Sequence, residues 1–493
     1  MDLRSVMICA GDVRCSGLLF NKDWILTHGS LLGNFSLEEL SSVSSSLSLP
    51  TIKLPRVFVV LEVGDERPAQ WAGFWRCPLV AGAVDKLLNG WMFGDGDKDD
   101  NPKLTKTLLP LFVLLRLGDP ALPQLSVNNV KAQPSLRLSD TEAGRDALAN
   151  LFRYVGMLPP LARGQTLMVK STPFGSQFFF DSWSNGVVSS IGGPQGCVLL
   201  TDARSAPGSE GGVIIRQGFG AGLVGLVLSS LCWWRGEWVG FTLGAVLQPV
   251  LWQLRAGNLA PNSSLLTLPS GIPANVDNGV VLVRCGGTWG SGVVLDVDDG
   301  IVLTCSHVLR QAFRSPITIY HQNRTFKGEM VHRTRDGVPF DVGIVKVGPN
   351  SHLKKITLAE TPPVKGEPVL AAGFPLISDV ENPFLLPVVT RGHVSHVAPT
   401  MVQTTCCIQS GASGGAILRP SGELLALVVC NARDQTSNAI YPHINLCVQV
   451  AAVISVLRRY LLSKDPAVLR DLECKDVEIQ RLWALKLTPA SKL

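Results

Sequence analysis

The C-terminal part of the chain is a series of short apolar runs, rich in β-branched residues and separated by Gly, Asp and Pro. The runs occupy 280–285, 291–297, 301–304, 317–320, 342–347, 369–372, 417–418 and 424–429. Turn residues at regular intervals between such runs predict an all-β barrel or sandwich. Only 448–462 has apolar residues at helical spacing, which predicts one C-terminal helix.

The N-terminal part repeats this pattern in a weaker form. Cys15-Ser16-Gly17 resembles Gly290-Ser291-Gly292, and 201–212 (TDARSAPGSEGG) resembles 404–415 (TTCCIQSGASGG). Two related β domains in tandem explain this self-similarity; an unrelated first β domain is the alternative. A Pro- and Gly-rich segment separates the halves. The predicted boundaries are a first domain at 1–252, a linker at 253–277, a second domain at 278–465 and a C-terminal tail at 466–493.

Composition excludes several classes of protein. The net charge of +5 is small and spread along the chain, so no nucleic-acid groove is expected. None of the twelve cysteines forms a C-x-x-C pair, and we predict no metal and no cofactor. The free thiols and the absence of a secretory signal pattern favour a reducing compartment. The uncharged run 217–234 contains many Gly and Ser residues, which favours two strands over a membrane span.

Three segments of the second half carry a set of residues suited to nucleophilic catalysis. His307 lies in LTCSHV, Asp341 begins DVGIVKV, and Ser413 lies in SGASGGA. An imidazole can take the proton of a serine hydroxyl, and a carboxylate can orient that imidazole. The backbone N–H groups of Gly411 and Ser413 are the candidate oxyanion hole. The remaining histidines of this half are interpreted as structural: His321, His332, His352, His393, His396 and His443.

The motifs T-x-x-H, D-[ILV]-[AG]-[ILV] and G-x-S-G-G, in this order, resemble those of the trypsin-like serine proteases, and among them the HtrA-type branch. The resemblance extends over 278–460. It implies two tandem chymotrypsin-like double β-barrel domains followed by the C-terminal helix.

The same register predicts that the first domain is degenerate. Ser30 stands opposite His307, Leu111 opposite Asp341 and Glu210 opposite Ser413. His28 is two residues out of register. A domain without these groups is expected to be catalytically inactive, and it could cover the active domain, present substrates or mediate homo-oligomerisation.

One sequence feature is a candidate for substrate specificity, and another is a candidate for subcellular localisation. Cys407 lies six residues before Ser413, where this fold partly sets its preference for the residue before the scissile bond. An uncharged residue there predicts a small, uncharged or thiol-compatible substrate residue, unless a charged group comes from elsewhere in the chain. Ser491-Lys492-Leu493 forms the S-K-L signal that a peroxisomal import receptor reads.

The whole chain resembles the peroxisomal processing proteases of this fold, on the residues at 207–212, 231–243, 403–406, 441–447 and 491–493. This resemblance implies a peroxisomal matrix endopeptidase that removes N-terminal presequences from imported enzymes, including those of fatty-acid β-oxidation. It also implies cleavage near cysteine and self-cleavage in the N-terminal region. The alternative is a catalytically silent peroxisomal scaffold or binding protein on a protease fold.

Overall fold

The structure is a computed structural model, and it describes residues 3–48, 54–88, 90–93, 102–118, 138–218, 220–230, 232–234, 237–255, 271–349, 352–376, 386–434 and 439–483. The chain divides into two compact units, Met1–Ser270 and Gly271–Leu493. The division falls inside 253–277, the segment predicted as a linker.

Two closed six-stranded barrels form the second unit, and all their strand pairs are antiparallel. Their strands are β16 Val280–Cys285, β17 Thr288–Asp296, β18 Ile301–Thr304, β19 Ile317–His321, β20 Arg324–Arg333, β21 Gly343–Lys346, β22 Pro368–Gly373, β23 Val388–Val397, β24 Met401–Thr404, β25 Ala416–Leu418, β26 Leu424–Arg433 and β27 Ile440–Gln449. The first barrel has the order β16-β17-β18-β21-β20-β19 and the second has the order β22-β23-β24-β27-β26-β25.

Each of the eight predicted apolar runs overlaps a strand of this unit, because apolar β-branched residues fill the barrel interiors. Four further strands lack such a run. No residue of Arg324–Arg333 is buried, and Val388–Val397 alternates buried residues with exposed Arg391 and His393. In these two strands many side chains face solvent, so hydrophobic periodicity does not mark them. The other two, Met401–Thr404 and Ile440–Gln449, are mostly buried but contain polar residues such as Gln403 and Asn445.

The C-terminal helix is confirmed as α7, Val450–Ser463; the unit also contains α6 (Val276–Gly279) and α8 (Val477–Trp483). The segment from 466 onward, predicted as a tail, begins with folded residues. A 3-10 segment at Pro466–Leu472 buries Leu469 and Leu472 in the unit's hydrophobic core, and Trp483 Nε1 donates to Thr400 Oγ1 at 3.1 Å. Burial of the two leucines fixes this segment to the barrels.

The first unit contains fifteen strands in its described residues. They are β1 Leu3–Ala10, β2 Val13–Phe20, β3 Trp24–His28, β4 Val57–Glu62, β5 Asp65–Arg76, β6 Trp91–Phe93, β7 Leu111–Leu117, β8 Thr166–Ser171, β9 Ser182–Gly192, β10 Val198–Thr201, β11 Val213–Arg216, β12 Gly222–Ser229, β13 Cys232–Trp234, β14 Glu237–Val239 and β15 Thr242–Val246. They build the barrels β1-β2-β3-β7-β5-β4 and β10-β15-β12-β11-β8-β9 and the small sheet β14-β13-β6.

The barrels of the first unit have the strand order of the second unit's barrels, as expected for two copies of one fold. The all-β, trypsin-like double-barrel prediction is therefore confirmed. The described part of this unit also holds five helices that the predicted fold omits. They are α1 Leu37–Ser41, α2 Pro78–Leu87, α3 Pro102–Leu108, α4 Leu138–Gly156 and α5 Leu247–Trp252. In α4, Leu148, Leu151 and Val155 are buried at helical spacing, a signal that the sequence contained.

The uncharged run 217–234 includes β12 and β13, as predicted. Among the described residues, every helix is too short or too polar to cross a bilayer.

Candidate active site

The ends of two neighbouring strands bring His307 and Asp341 together. His307 lies in a 3-10 turn, Ser306–Leu309, just after β18, and Asp341 lies just before β21, the strand that pairs with β18. Asp341 Oδ2 is hydrogen-bonded to His307 Nδ1, and Asp341 Oδ1 accepts from the backbone N–H of His307 at 2.9 Å. Two contacts from one carboxylate fix the imidazole and favour the tautomer with the proton on Nδ1.

Thr334 fixes the Asp341 segment from the other side. Its hydroxyl donates to Phe340 O at 2.5 Å and accepts from Val342 N at 3.1 Å. The Thr334 carbonyl accepts from Ser306 Oγ at 2.5 Å, next to His307. This fully buried threonine therefore ties both partners of the His–Asp pair to the same strand end.

Ser413 occupies the tight loop between β24 and β25, where two glycines are required. Gly411 has φ +98° and Gly414 has φ +82°, values that favour glycine. A Cβ at Gly411 would lie 2.4 Å from Trp289 Nε1, and one at Gly414 would lie 2.2 Å from Ser291 O. Both glycines are therefore needed for the loop to present Ser413.

The Ser413 hydroxyl donates to the carbonyl of Val429 at 2.9 Å. Within the part of the chain that the structure describes, no hydrogen bond joins this hydroxyl to His307. Catalytic hydrogen bonds are often absent or long without substrate and form in the Michaelis complex. If His307 is the base, the Ser413 hydroxyl has to exchange the Val429 carbonyl for the imidazole as its acceptor.

The two predicted oxyanion donors belong to peptide groups whose carbonyls are held in place. Leu376 N donates to Ser410 O at 2.9 Å, and Gly415 N donates to Ala412 O at 2.8 Å. Because a peptide group is planar and trans, the N–H groups of Gly411 and Ser413 point away from these carbonyls. Two backbone donors on one tight loop suit the binding of a developing negative charge on oxygen.

A thiol lies beside the His–Asp pair. The ligand atoms of Cys305, His307 and Asp341 lie within 4.8 Å of one another. Cys305 Sγ donates to Val428 O at 3.1 Å, and burial, with Asp341 as a smaller cause, raises the pKa of this thiol well above its usual value. A protonated, fully buried thiol is a poor metal ligand and a poor nucleophile.

Cys407 is buried, and its carbonyl accepts from Thr390 Oγ1 at 3.1 Å. The next residue, Ile408, donates its N–H to Pro442 O at 2.8 Å, and its carbonyl accepts from Asn431 Nδ2 at 3.0 Å. These contacts join the segment before Ser413 to β26 and β27. The sequence 401–416 contains no charged side chain.

The first unit has the same backbone at the corresponding place, which fixes the register between the units. Gly211 N donates to Val227 O at 2.8 Å, as Gly414 N donates to Val428 O at 2.8 Å. Glu210 therefore corresponds to Ser413. Thr27 pairs with Val113 as Thr304 pairs with Gly343, so Ser30 and Leu111 correspond to His307 and Asp341.

The Glu210 carboxylate binds the counterpart of one predicted oxyanion donor. It accepts from Gly208 N, the counterpart of Gly411 N, at 2.8 Å. It also accepts from Ser230 N at 3.2 Å and from Ser230 Oγ at 2.5 Å. The loop of the first unit thus binds an anionic oxygen of its own chain.

His28 corresponds to Cys305 and is a structural residue. It is 2% exposed; its Nδ1 accepts from Ser30 N at 3.1 Å, and Nε2 lies 3.2 Å from Leu109 O. Burial lowers the pKa of His28 to about 4. A second proton would have to sit on Nδ1, against the Ser30 N–H.

This titration predicts acid sensitivity of the first unit. Between pH 6.5 and about 4 the unfolded chain binds a proton that the folded chain does not. The free energy of unfolding should therefore keep its whole contribution from neutral His28 above pH 6.5 and fall by about 3 kcal/mol as the pH drops to 4. Urea titrations from pH 7 to 4 check this, with His28→Gln, which cannot titrate, as comparison. Equal pH slopes for the two proteins would contradict the prediction.

Sequence reasoning missed three residues that shape the site: Thr334, Leu376 and Ser291. Leu376 has φ +56°, and Phe174 at the corresponding place has φ +59°. Ser291 carried a signal, because it lies in a repeated triplet, whereas Thr334 and Leu376 lie in unremarkable sequence. The predicted signal Ser491-Lys492-Leu493 lies outside the described residues.

Comparison with known proteins adds names to this geometry. Residues 290–427 match the trypsin-like peptidase domain family. The chain is 31% identical to the human peroxisomal leader peptide-processing protease, over 86% of this chain and 75% of that protein. It is 34% identical to the mouse protein of the same name, over 69% of this chain and 64% of the mouse protein. The solved serine endoprotease from Yersinia pestis is 24% identical, with 40% of this chain and 69% of that chain covered and a TM-score of 0.33.

Proposed function

The chain belongs to the family of peroxisomal leader peptide-processing proteases, and from this premise we propose that His307, Asp341 and Ser413 form its catalytic centre. The second unit is a trypsin-like serine endopeptidase domain. The observation that carries the assignment is the double contact of the Asp341 carboxylate with His307 beside a loop that presents Ser413.

In the proposed mechanism, His307 Nε2 takes the proton of Ser413 Oγ as the oxygen attacks the scissile carbonyl carbon. The N–H groups of Gly411 and Ser413 stabilise the negative oxygen of the tetrahedral intermediate. His307 then gives the proton to the leaving amine, and the acyl group remains on Ser413 Oγ. A water molecule that gives a proton to His307 attacks this ester, and His307 returns the proton to Ser413 Oγ as the acyl group leaves. Asp341 stays ionised and stabilises the imidazolium.

The proposed substrates are peroxisomal matrix enzymes that carry N-terminal leader peptides, including enzymes of fatty-acid β-oxidation. The uncharged segment 401–416 and Cys407 support a preference for an uncharged residue before the scissile bond, with cysteine as the first candidate. The chain itself is a further proposed substrate, cut within its first unit. The S-K-L tripeptide at 491–493 is the proposed address read by the import receptor in delivery to the matrix.

The test treats a peroxisomal extract with the purified chain or with its Ser413→Ala variant and sequences the new N-termini. Leader removal from matrix enzymes by the unmodified chain alone supports the proposal. Identical termini in both samples would overturn it. The residue before each new terminus reads out specificity directly, and arginine or lysine at most sites would refute the proposed role of Cys407.

The first unit is proposed to be catalytically silent because a carboxylate stands where the nucleophile belongs. Glu210→Ala should leave kcat/KM within about twofold of the unmodified chain. It should lower the stability of the first unit by about 1–3 kcal/mol, because Gly208 N–H and Ser230 lose a charged acceptor. Peptide turnover and thermal unfolding measure the two effects. A folded Glu210→Ala variant with low turnover would show that the first unit takes part in the reaction.

A silent scaffold on a protease fold is the second candidate, since Ser413 Oγ is engaged with Val429 O and not with His307. A fluorophosphonate probe separates the two functions. Stoichiometric labelling of Ser413 supports the protease, and a folded chain that stays unlabelled supports the scaffold.

A further inference from the structure

We propose that Ser291 is a positioning residue that shapes the oxyanion hole of the second unit. This inference rests on the proposed function, in which Gly411 and Ser413 supply the oxyanion donors. Ser291 lies on β17 in the other barrel of the unit, far from the nucleophile loop in sequence, and it is fully buried.

All the polar groups of Ser291 bind around the nucleophile loop. Its N–H donates to Ser413 O at 2.7 Å, and its hydroxyl donates to Gly411 O at 2.9 Å. The same hydroxyl accepts from Phe374 N at 2.8 Å. Its carbonyl accepts from Thr304 Oγ1 at 2.6 Å. One residue thus connects the loop to the turn at Phe374 and to the strand that precedes His307.

The contact with Gly411 O falls at the peptide that joins the two donor peptides. The 410–411 peptide is held through Ser410 O and the 412–413 peptide through Ala412 O. The 411–412 peptide lies between them. Its carbonyl is held by Ser291 Oγ, and its N–H donates to Gln409 O at 3.0 Å. The orientation of this middle peptide determines whether the N–H groups of Gly411 and Ser413 converge on one point.

The first unit contains the same device and shows what it presents. Ser16 Oγ donates to Gly208 O at 2.9 Å and accepts from Thr172 N at 2.8 Å. Its N–H donates to Glu210 O at 2.9 Å. In this arrangement Gly208 N–H donates to the Glu210 carboxylate. A loop held by a serine in this way therefore directs its glycine N–H at an anionic oxygen, and in the second unit that oxygen is the oxyanion.

The test compares Ser291→Ala with Ser16→Ala, its counterpart in the first unit. We expect Ser291→Ala to lower kcat by on the order of 10²-fold, the loss typical of one oxyanion donor, with KM changed by less than about threefold. Affinity for a peptide aldehyde, which forms an oxyanion with Ser413, should fall by a similar factor. Ser16→Ala should leave kcat, KM and aldehyde affinity within about twofold, although it loses equivalent hydrogen bonds.

Several outcomes would overturn the inference. A folded Ser291→Ala variant with kcat and aldehyde affinity within about twofold of the unmodified chain would do so, as would an equal loss of kcat in Ser16→Ala. If Ser291→Ala does not fold, Ser291→Cys keeps the size of the side chain with a weaker donor. Aldehyde affinity and kcat should then fall together by about tenfold, and unchanged values would refute the positioning role.

Failure of the proposed function would look different. An unmodified chain that neither cleaves peptides nor labels with fluorophosphonate would refute the catalytic assignment before any variant is made. If the unmodified chain is fully labelled and active, and Ser291→Ala has unchanged kcat and aldehyde affinity, only the positioning role is refuted.

Discussion

Replacement of Ser413 by Ala is expected to lower peptide cleavage by on the order of 10⁴–10⁶-fold. The variant loses the nucleophilic oxygen while its loop keeps both required glycines and the contacts of Ser291. The hydroxyl makes one hydrogen bond, to Val429 O at 2.9 Å, so the free energy of unfolding should change by less than about 1 kcal/mol.

The measurement is kcat/KM on a peptide substrate together with the thermal unfolding midpoint. Ser421→Ala is the matched control, because Ser421 lies at the surface of the same unit and its hydroxyl donates to Glu423 Oε2 at 2.9 Å, away from the nucleophile loop. Its activity should stay within about threefold of the unmodified chain. Residual cleavage of more than about one per cent by purified Ser413→Ala would assign the nucleophile to another residue.

Asp341→Asn is expected to give a folded protein that turns over about 10⁴-fold more slowly. An asparagine oxygen can still accept from the backbone N–H of His307, as Asp341 Oδ1 does at 2.9 Å. The amide NH₂ facing Nδ1 cannot accept the proton that Asp341 Oδ2 accepts now. The imidazole would then favour the proton on Nε2, where it cannot receive the proton of Ser413.

Asp336→Asn provides the control for this substitution. Asp336 is 57% exposed and pairs with Arg310 and Arg333 at the surface, so its loss should change kcat by less than about threefold. Both variants are compared by kcat after active-site titration, which corrects for the folded fraction. Near-normal turnover of Asp341→Asn would point to a different orienting acid.

The fold could be predicted from the sequence where buried strands and repeated motifs produce a recognisable local pattern of residues. Apolar β-branched runs marked eight of the twelve strands of the second unit, and the repeated triplet around Ser16 and Ser291 marked two copies of one domain. The strand Arg324–Arg333 left no such mark, because none of its residues is buried. The sequence predicts a tail from 466, because Leu469 and Leu472 alone do not reveal that this segment packs on the barrels.

Part of the candidate site could be predicted from residue types, and part became visible only in the folded chain. His307, Asp341 and Ser413 could be named from the sequence, because a nucleophile, a base and an orienting acid require those residue types in recognisable local turns. The positions of Ser30, Leu111 and Glu210 followed from the same register. That register already predicted a first domain without a catalytic set.

Only the tertiary structure decided which backbone groups these side chains meet. Ser291 contacts Gly411 across 120 residues of sequence. Glu210 contacts Ser230 across 20 residues. Hydrogen bonds need specific distances and angles, and the path of the barrels sets these. The sequence therefore determined the chemistry available to this protein, and the packing of its barrels determined where that chemistry is aimed.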